Sequence, residues 1–146
     1  MNLTSSNNIN LYGYNKYLLN LIELFKKDSL PKKIIFSGNR GIGKCTLVYH
    51  LVNYIFTINE KNKYNIDKNL ISNNSHSYNL ITKNTHPNFF LISNENDKMN
   101  IQVSKVREMI EFCNKSTFNG ECKVILIDNI EYLNTNSVNS LLKIIE

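Results

Sequence analysis

The sequence has few cysteines, few arginines and no long apolar run. Cys45, Cys113 and Cys122 are an odd number without a C-x-x-C pair, which excludes a disulfide framework and a zinc ribbon. No stretch approaches the roughly 18 consecutive apolar residues of a membrane span, and residues 1–10 are polar and Asn-rich, without the apolar segment of a secretory signal. A reducing cytoplasm is the expected setting, with no membrane contact. Arginine is confined to Arg40 and Arg107, so a net charge of +5 rests almost wholly on lysine. Asn, Lys and Ile fill about two-fifths of the chain, the composition expected where AT-rich codons are favoured throughout a genome. The excess of lysine then reads as a solvated coat, which weakens the argument from basicity to a nucleic-acid partner.

What is present suits one soluble domain with one core: 146 residues, 42% hydrophobic and 20% charged. Leu18, Leu21, Ile22 and Phe25 fall at helical spacing, and the stretch Asp28-Ser29-Leu30-Pro31 ends that helix. Ile34-Ile35-Phe36-Ser37 has the short, β-branched character of a buried parallel strand. After a glycine loop, Leu47, Val48, Leu51, Val52 and Ile55 mark a second helix. Residues 59–87, rich in Asn, Ser and Lys, read as a long, mobile surface connection. Phe89-Phe90-Leu91-Ile92 predicts a strand, Val103, Val106, Ile110 and Cys113 a helix capped by Asn100, and Asn119-Gly120 a turn. Val124-Ile125-Leu126-Ile127 predicts a central strand, and Val138, Leu141, Leu142 and Ile145 a last helix capped by Asn134 or Thr135. The alternation predicts an α/β fold, a parallel sheet flanked by helices. No stop signal closes the last helix before Glu146, so the domain spanning residues 1–146 is expected to be incomplete at its C-terminus.

Gly38-Asn39-Arg40-Gly41-Ile42-Gly43-Lys44 fills seven of the eight places of the phosphate-binding pattern G-x-x-x-x-G-K-[ST]. Such a loop turns backbone N–H groups toward phosphate oxygens, places a helix N-terminus behind them, and lets the lysine reach the outer phosphates. The bland alternative is a glycine turn serving helix geometry alone. The eighth place is Cys45, where the pattern puts a hydroxyl on Mg²⁺; a soft thiol is a poor ligand for that hard cation. Thr46 is one residue further and rotated by about 100°, so it does not replace the missing hydroxyl.

Asp128, ending the predicted central strand, is the metal-side candidate of such a site, with a strand-end cap as the alternative. The next residue is Asn129, which cannot serve as a carboxylate base, and Glu131 is too far along the chain to take that place. The candidate nucleotide-binding residues are therefore Gly38, Asn39, Arg40, Gly41, Ile42, Gly43, Lys44, Cys45, Thr46 and Asp128. ATP or ADP is the implied ligand, with weak Mg²⁺ dependence, no catalytic residue and no metal site. His76 and His86 lack metal-ligand spacing, Cys113 reads as core, and Cys122 as an ordinary thiol.

These residues resemble a known family. Leu11-Tyr12-Gly13, Leu30-Pro31, the Gly38 to Lys44 loop, His86-Pro87-Asn88, Ile101 through Arg107, Lys123 through Asp128 and Asn139-Ser140-Leu141-Leu142-Lys143-Ile144-Ile145-Glu146 follow in the order seen in the clamp-loader AAA+ proteins of bacterial DNA polymerase III. The resemblance covers most of the chain outside residues 59–85. It implies a P-loop AAA+ domain in a pentameric loader that opens the sliding clamp and places it on primed DNA, with tau/gamma and delta subunits as partners. The stator-like member of that loader often has a degraded nucleotide site, which fits Cys45 and Asn129. The zinc-binding cysteine cluster of many relatives is missing, so zinc is not expected, and the arginine-finger motif, lid and collar would lie beyond Glu146. An active tau/gamma-like ATPase motor would call for Ser or Thr at 45 and Glu at 129. An unrelated P-loop kinase or regulatory ATPase leaves the string of the last helix unaccounted for.

Overall fold

A computed structural model describes residues 4–93, 101–120 and 122–145. They fall into two compact units, residues 1–83 and 84–146, each burying apolar side chains of its own, where length alone predicts a single core.

In the first unit, α1 (Asn15–Lys26) buries Leu18 and Ile22 from the predicted stripe. Its end is a Schellman closure. Asp28 takes φ 51, the Ser29 N–H bonds the Leu24 carbonyl and the Asp28 N–H bonds that of Phe25, so the last carbonyls of the helix are satisfied. The second helix, α2 (Lys44–Thr57), packs on α1 and on α3 (His76–Thr82). It is buried nearly all round: besides Leu47, Leu51, Val52 and Ile55, it buries His50, Asn53 and Thr57. A helix with polar residues on its covered face needs polar partners there. Tyr64 supplies one to His50 and one to Thr57, the Asn8 carbonyl supplies another to His50, and the Asn53 amide donates to the Tyr49 carbonyl within the helix.

The expectation of a bare surface connection over residues 59–87 is therefore corrected. Tyr64, Ile71, Tyr78 and Ile81 are buried, α3 forms within the stretch, and residues 65–71 run back to bond the N-terminal segment. The Ile71 N–H bonds the Ile9 carbonyl at 2.9 Å and the Leu11 N–H bonds that of Asn69 at 3.2 Å. The average polarity of these residues misleads because several of their polar groups are paired inside the fold. The Thr57 hydroxyl accepts from the Tyr64 N–H at 2.9 Å, and the Glu60 carboxylate accepts the N–H groups of His76 and Ser77 at the start of α3. Burial acts to raise the Glu60 pKa, but the bonds from Ser77, Ser75 and His76 outweigh it and hold the carboxyl below its ordinary value.

The second expectation to be corrected is the strand at residues 34–37. No described strand forms a ladder with it, and Ile35 is 84% exposed. A strand exists through its partner's hydrogen bonds, and β-branched composition cannot supply those alone.

In the second unit, β1 (Phe89–Ile92) and β2 (Val124–Ile127) pair in parallel, Phe89 opposite Val124 and Ile92 opposite Ile127. Between them in sequence lies α4 (Val103–Asn114), which packs on β1 and on α5 (Thr135–Ile145). Ile92, Ile101, Val106, Met109 and Leu141 form the core of this unit. Gln102 stands at the N-cap of α4; the predicted cap, Asn100, lies outside the described residues. At the other end, the Lys123 ammonium donates to the carbonyls of Phe112, Cys113 and Lys115, a cation against a helix C-terminus. Asn134 caps α5, its side-chain oxygen accepting the Ser137 N–H at 2.8 Å. The buried Asn88 holds both sides of one turn, accepting from the Phe118 N–H at 2.8 Å and donating to the Phe118 carbonyl at 2.9 Å. This places the predicted Asn119-Gly120 turn, where Asn119 is left-handed at φ 54, directly before β2.

Candidate functional site

The glycine loop has the backbone that its sequence calls for. Gly38, Gly41 and Gly43 all take positive φ, at 144, 82 and 92 degrees. Side-chain-bearing residues adopt such angles at a cost, so here the glycines are a conformational requirement. At Gly38 space adds a second requirement, because a Cβ there would stand 2.8 Å from Ile42 Cδ1. Gly43 is the N-cap of α2, which starts at Lys44 as predicted. The first-turn N–H groups of α2 and the positive end of its dipole therefore lie at the loop, an arrangement able to receive an anion.

The Lys44 side chain folds back onto the loop that it follows. Its ammonium donates to the carbonyls of Gly38 and Asn39, both at 2.8 Å. Sequence reading sends this lysine outward to phosphate; in this structure it secures the first residues of the loop. Tyr14, at the N-cap of α1, secures the last ones, its hydroxyl donating to the Ile42 carbonyl at 2.6 Å. Nothing in the sequence marks Tyr14, because the contact spans 28 positions. Asn39, Arg40, Gly41 and Ile42 are exposed, and Cys45 and Thr46 are half-buried on the first turn of α2. The loop thus brings Gly38 through Thr46 together in the first unit.

Asp128 belongs to the second unit, half-buried just past β2, its N–H bonding the Ile92 carbonyl at 2.8 Å. Asn129 takes the left-handed region at φ 58 and ψ 58, and Glu131 falls in the short 3₁₀ turn that follows. The turn directs the chain into α5 but brings no second carboxylate beside Asp128 in sequence.

Beneath the loop, α2 is anchored by a buried histidine. The Tyr64 hydroxyl lies 2.8 Å from His50 Nδ1, and His50 Nε2 lies 3.1 Å from the Asn8 carbonyl. A carbonyl only accepts, so Nε2 carries the proton and Nδ1 accepts from the tyrosine. Burial pushes the His50 pKa down to about 4, against the opposing effect of the Asn8 carbonyl, and pushes the Tyr64 phenol up. The neutral ring therefore ties the N-terminal segment and residue 64 to the helix that carries the loop. Hydropathy gave no sign of this role.

Among the described residues, no group of three His, Cys, Asp or Glu side chains stands together as a metal site, and no helix is long and apolar enough to cross a membrane. Two characterised proteins are similar to this chain. DNA polymerase III subunit delta′ of Buchnera aphidicola (subspecies Schizaphis graminum) is 27% identical over 126 residues, covering 86% of this chain and 36% of that protein. DNA polymerase III subunit delta′ of Pseudomonas aeruginosa is 34% identical over 67 residues, covering 46% of this chain and 20% of that protein. The chain thus spans about a third or less of the length of these relatives. Residues 13–146, which include the glycine loop, both helices around it and the β1–β2 unit, match the family described as DNA polymerase III, delta subunit, and the chain belongs to that family.

Proposed function

We propose that this chain is the nucleotide-binding portion of a delta-prime-type clamp-loader subunit, built on a P-loop AAA+ sheet flanked by helices. Its role is binding and assembly: with tau/gamma and delta subunits it helps a loader place the sliding clamp on primed DNA in the cytoplasm. The reading rests on one observation above the family match, the Gly38–Gly43 backbone in left-handed turns immediately before Lys44 and α2. Such a loop presents N–H groups and an ammonium to a diphosphate, and neither contribution depends on position 45. ADP or ATP is the ligand that fits. Cys45 leaves Mg²⁺ one hard ligand short and Asn129 supplies no base, so nucleotide is held without efficient turnover by this subunit.

Titration of labelled ADP against the natural chain and Lys44→Ala tests the reading. Lys44→Ala removes a cation from the phosphates, and a charge-assisted bond of about 1.5–3 kcal/mol corresponds to roughly a ten- to hundredfold rise in Kd. Equal binding by both proteins removes the loop from the functional account.

A further inference from the structure

We infer that Tyr14 is a positioning residue of the phosphate loop, holding the Ile42–Gly43 peptide so that the Gly43 N–H faces the anion. The inference rests on the nucleotide-site reading above and adds a residue that the phosphate pattern does not contain. The Tyr14 hydroxyl donates to the Ile42 carbonyl at 2.6 Å, and the chain has no cis peptide among its described residues. In a planar trans peptide the C=O and N–H point in opposite directions. Anchoring the Ile42 carbonyl on Tyr14 therefore turns the Gly43 N–H to the side away from the tyrosine. Among the described residues no acceptor takes that N–H, so it is available to a ligand oxygen.

A glycine peptide is the one in the loop most in need of such an anchor. Gly43, at φ 92, has no side chain to restrict its rotation, and the two orientations of its N–H would otherwise compete. The Tyr14 ring lies close to Gly43: a Cβ there would stand 3.4 Å from Tyr14 Cε2, ordinary contact distance, so the ring is a neighbour of this peptide without crowding it. The two anchors of the loop also differ in how a nucleotide treats them. The Lys44 ammonium donates two of its three N–H groups to the Gly38 and Asn39 carbonyls, so one is left for a phosphate, and each further phosphate contact draws it away from a loop carbonyl. The Tyr14 bond lies on the far side of the Ile42 peptide and persists, keeping that end of the loop shaped while the lysine is engaged.

The test is Tyr14→Phe, which removes the hydroxyl and keeps the ring. Labelled-ADP titration, competition by adenosine and thermal unfolding are measured for the natural chain, Tyr14→Phe and Lys44→Ala. Tyr14→Phe is expected to raise the ADP Kd about three- to tenfold, the loss of one hydrogen bond, with adenosine competition unchanged. A merely structural tie between α1 and the loop would weaken ADP and adenosine alike, and that outcome overturns the inference. So does an unchanged ADP Kd in Tyr14→Phe when Lys44→Ala loses binding, a result that leaves the nucleotide site standing. Equal binding by Lys44→Ala and the natural chain overturns the site itself. If Tyr14→Phe fails to fold, the natural chain decides: the Gly43 amide resonance must shift on adding ADP and stay in place on adding adenosine, and a Gly43 amide indifferent to ADP overturns the inference.

Discussion

The two units of this chain reach burial by different means. In the second, Ile92, Ile101, Val106, Met109 and Leu141 make an apolar cluster, and its polar bonds sit at turns and helix ends, as at Asn88, Lys123 and Asn134. In the first, α2 from its middle to its C-terminal end buries His50, Asn53 and Thr57 among its apolar neighbours, and polar residues pack nearby: Tyr64, Ser75 and Ser77, with Glu60 half-buried beside α3. Apolar contacts are tolerant of small displacements, whereas a buried polar group has a few acceptable partners and loses heavily without them. The helix that carries the glycine loop is thus located by directional bonds: His50 donates to the Asn8 carbonyl and accepts from the Tyr64 hydroxyl, and Thr57 accepts from the Tyr64 N–H. A loop proposed to bind through the orientation of its peptides gains from a helix fixed in this way. The second unit is held by packing that is less particular about register.

The largest expected effect tests the apolar side of this contrast. Ile92 is fully buried, and Ile92→Ala should cost about 2–5 kcal/mol, measured by urea denaturation. A loss well below about 1 kcal/mol would show that the second unit does not depend on its cluster.

Next is the pH response of the polar side. The unfolded chain protonates His50 near 6.5, while the folded chain resists until about 4. The unfolded state therefore binds more protons in that interval, so the His50 contribution is complete above about 6.5 and is lost as pH falls toward 4, by on the order of 3 kcal/mol. Glu60, whose carboxyl is held below its ordinary value, acts in the same direction at lower pH, its contribution falling as it protonates. Urea denaturation from pH 7 to 4.5 should show the decline, and His50→Gln should flatten it. An unchanged slope in that variant would remove His50 from the account of the first unit.

The smallest effect sharpens the comparison by probing a polar group of the second unit. Asn134→Ala removes the cap of α5 and should cost about 1 kcal/mol, without altering the decline between pH 6.5 and 4. A cost rivalling that of Ile92→Ala would mean that the second unit also relies on directional bonds.

How much of this was legible in advance depended on where the partners lie. Helix spacing located α1, α2, α4 and α5 because the period of an amphipathic helix is local, and the runs at 89–92 and 124–127 were read as strands because a strand buried between layers is continuously apolar. The glycine loop from Gly38 to Lys44 is legible because its glycines and lysine stand at fixed spacing, and Gly38, Gly41 and Gly43 take the positive φ angles that glycine allows. Residues 34–37 were read as a strand on composition, but a ladder needs a neighbour that no local pattern contains. Residues 60–83 hide their packing for the opposite reason: their asparagines, serines and tyrosines look solvated until Glu60 meets Ser77 and Tyr64 meets His50.

Four of the helices, α1, α2, α4 and α5, the strands β1 and β2 and the chemistry available to the loop follow from periodicities and residue types within a few positions of sequence. Folding in three dimensions is what closes a polar segment over α2, rests Lys44 on the carbonyls of its own loop, and sets Tyr14 on the Ile42 peptide. Those are hydrogen bonds whose energy depends on distance and angle, and distance between residues far apart in sequence is a property of the folded chain alone.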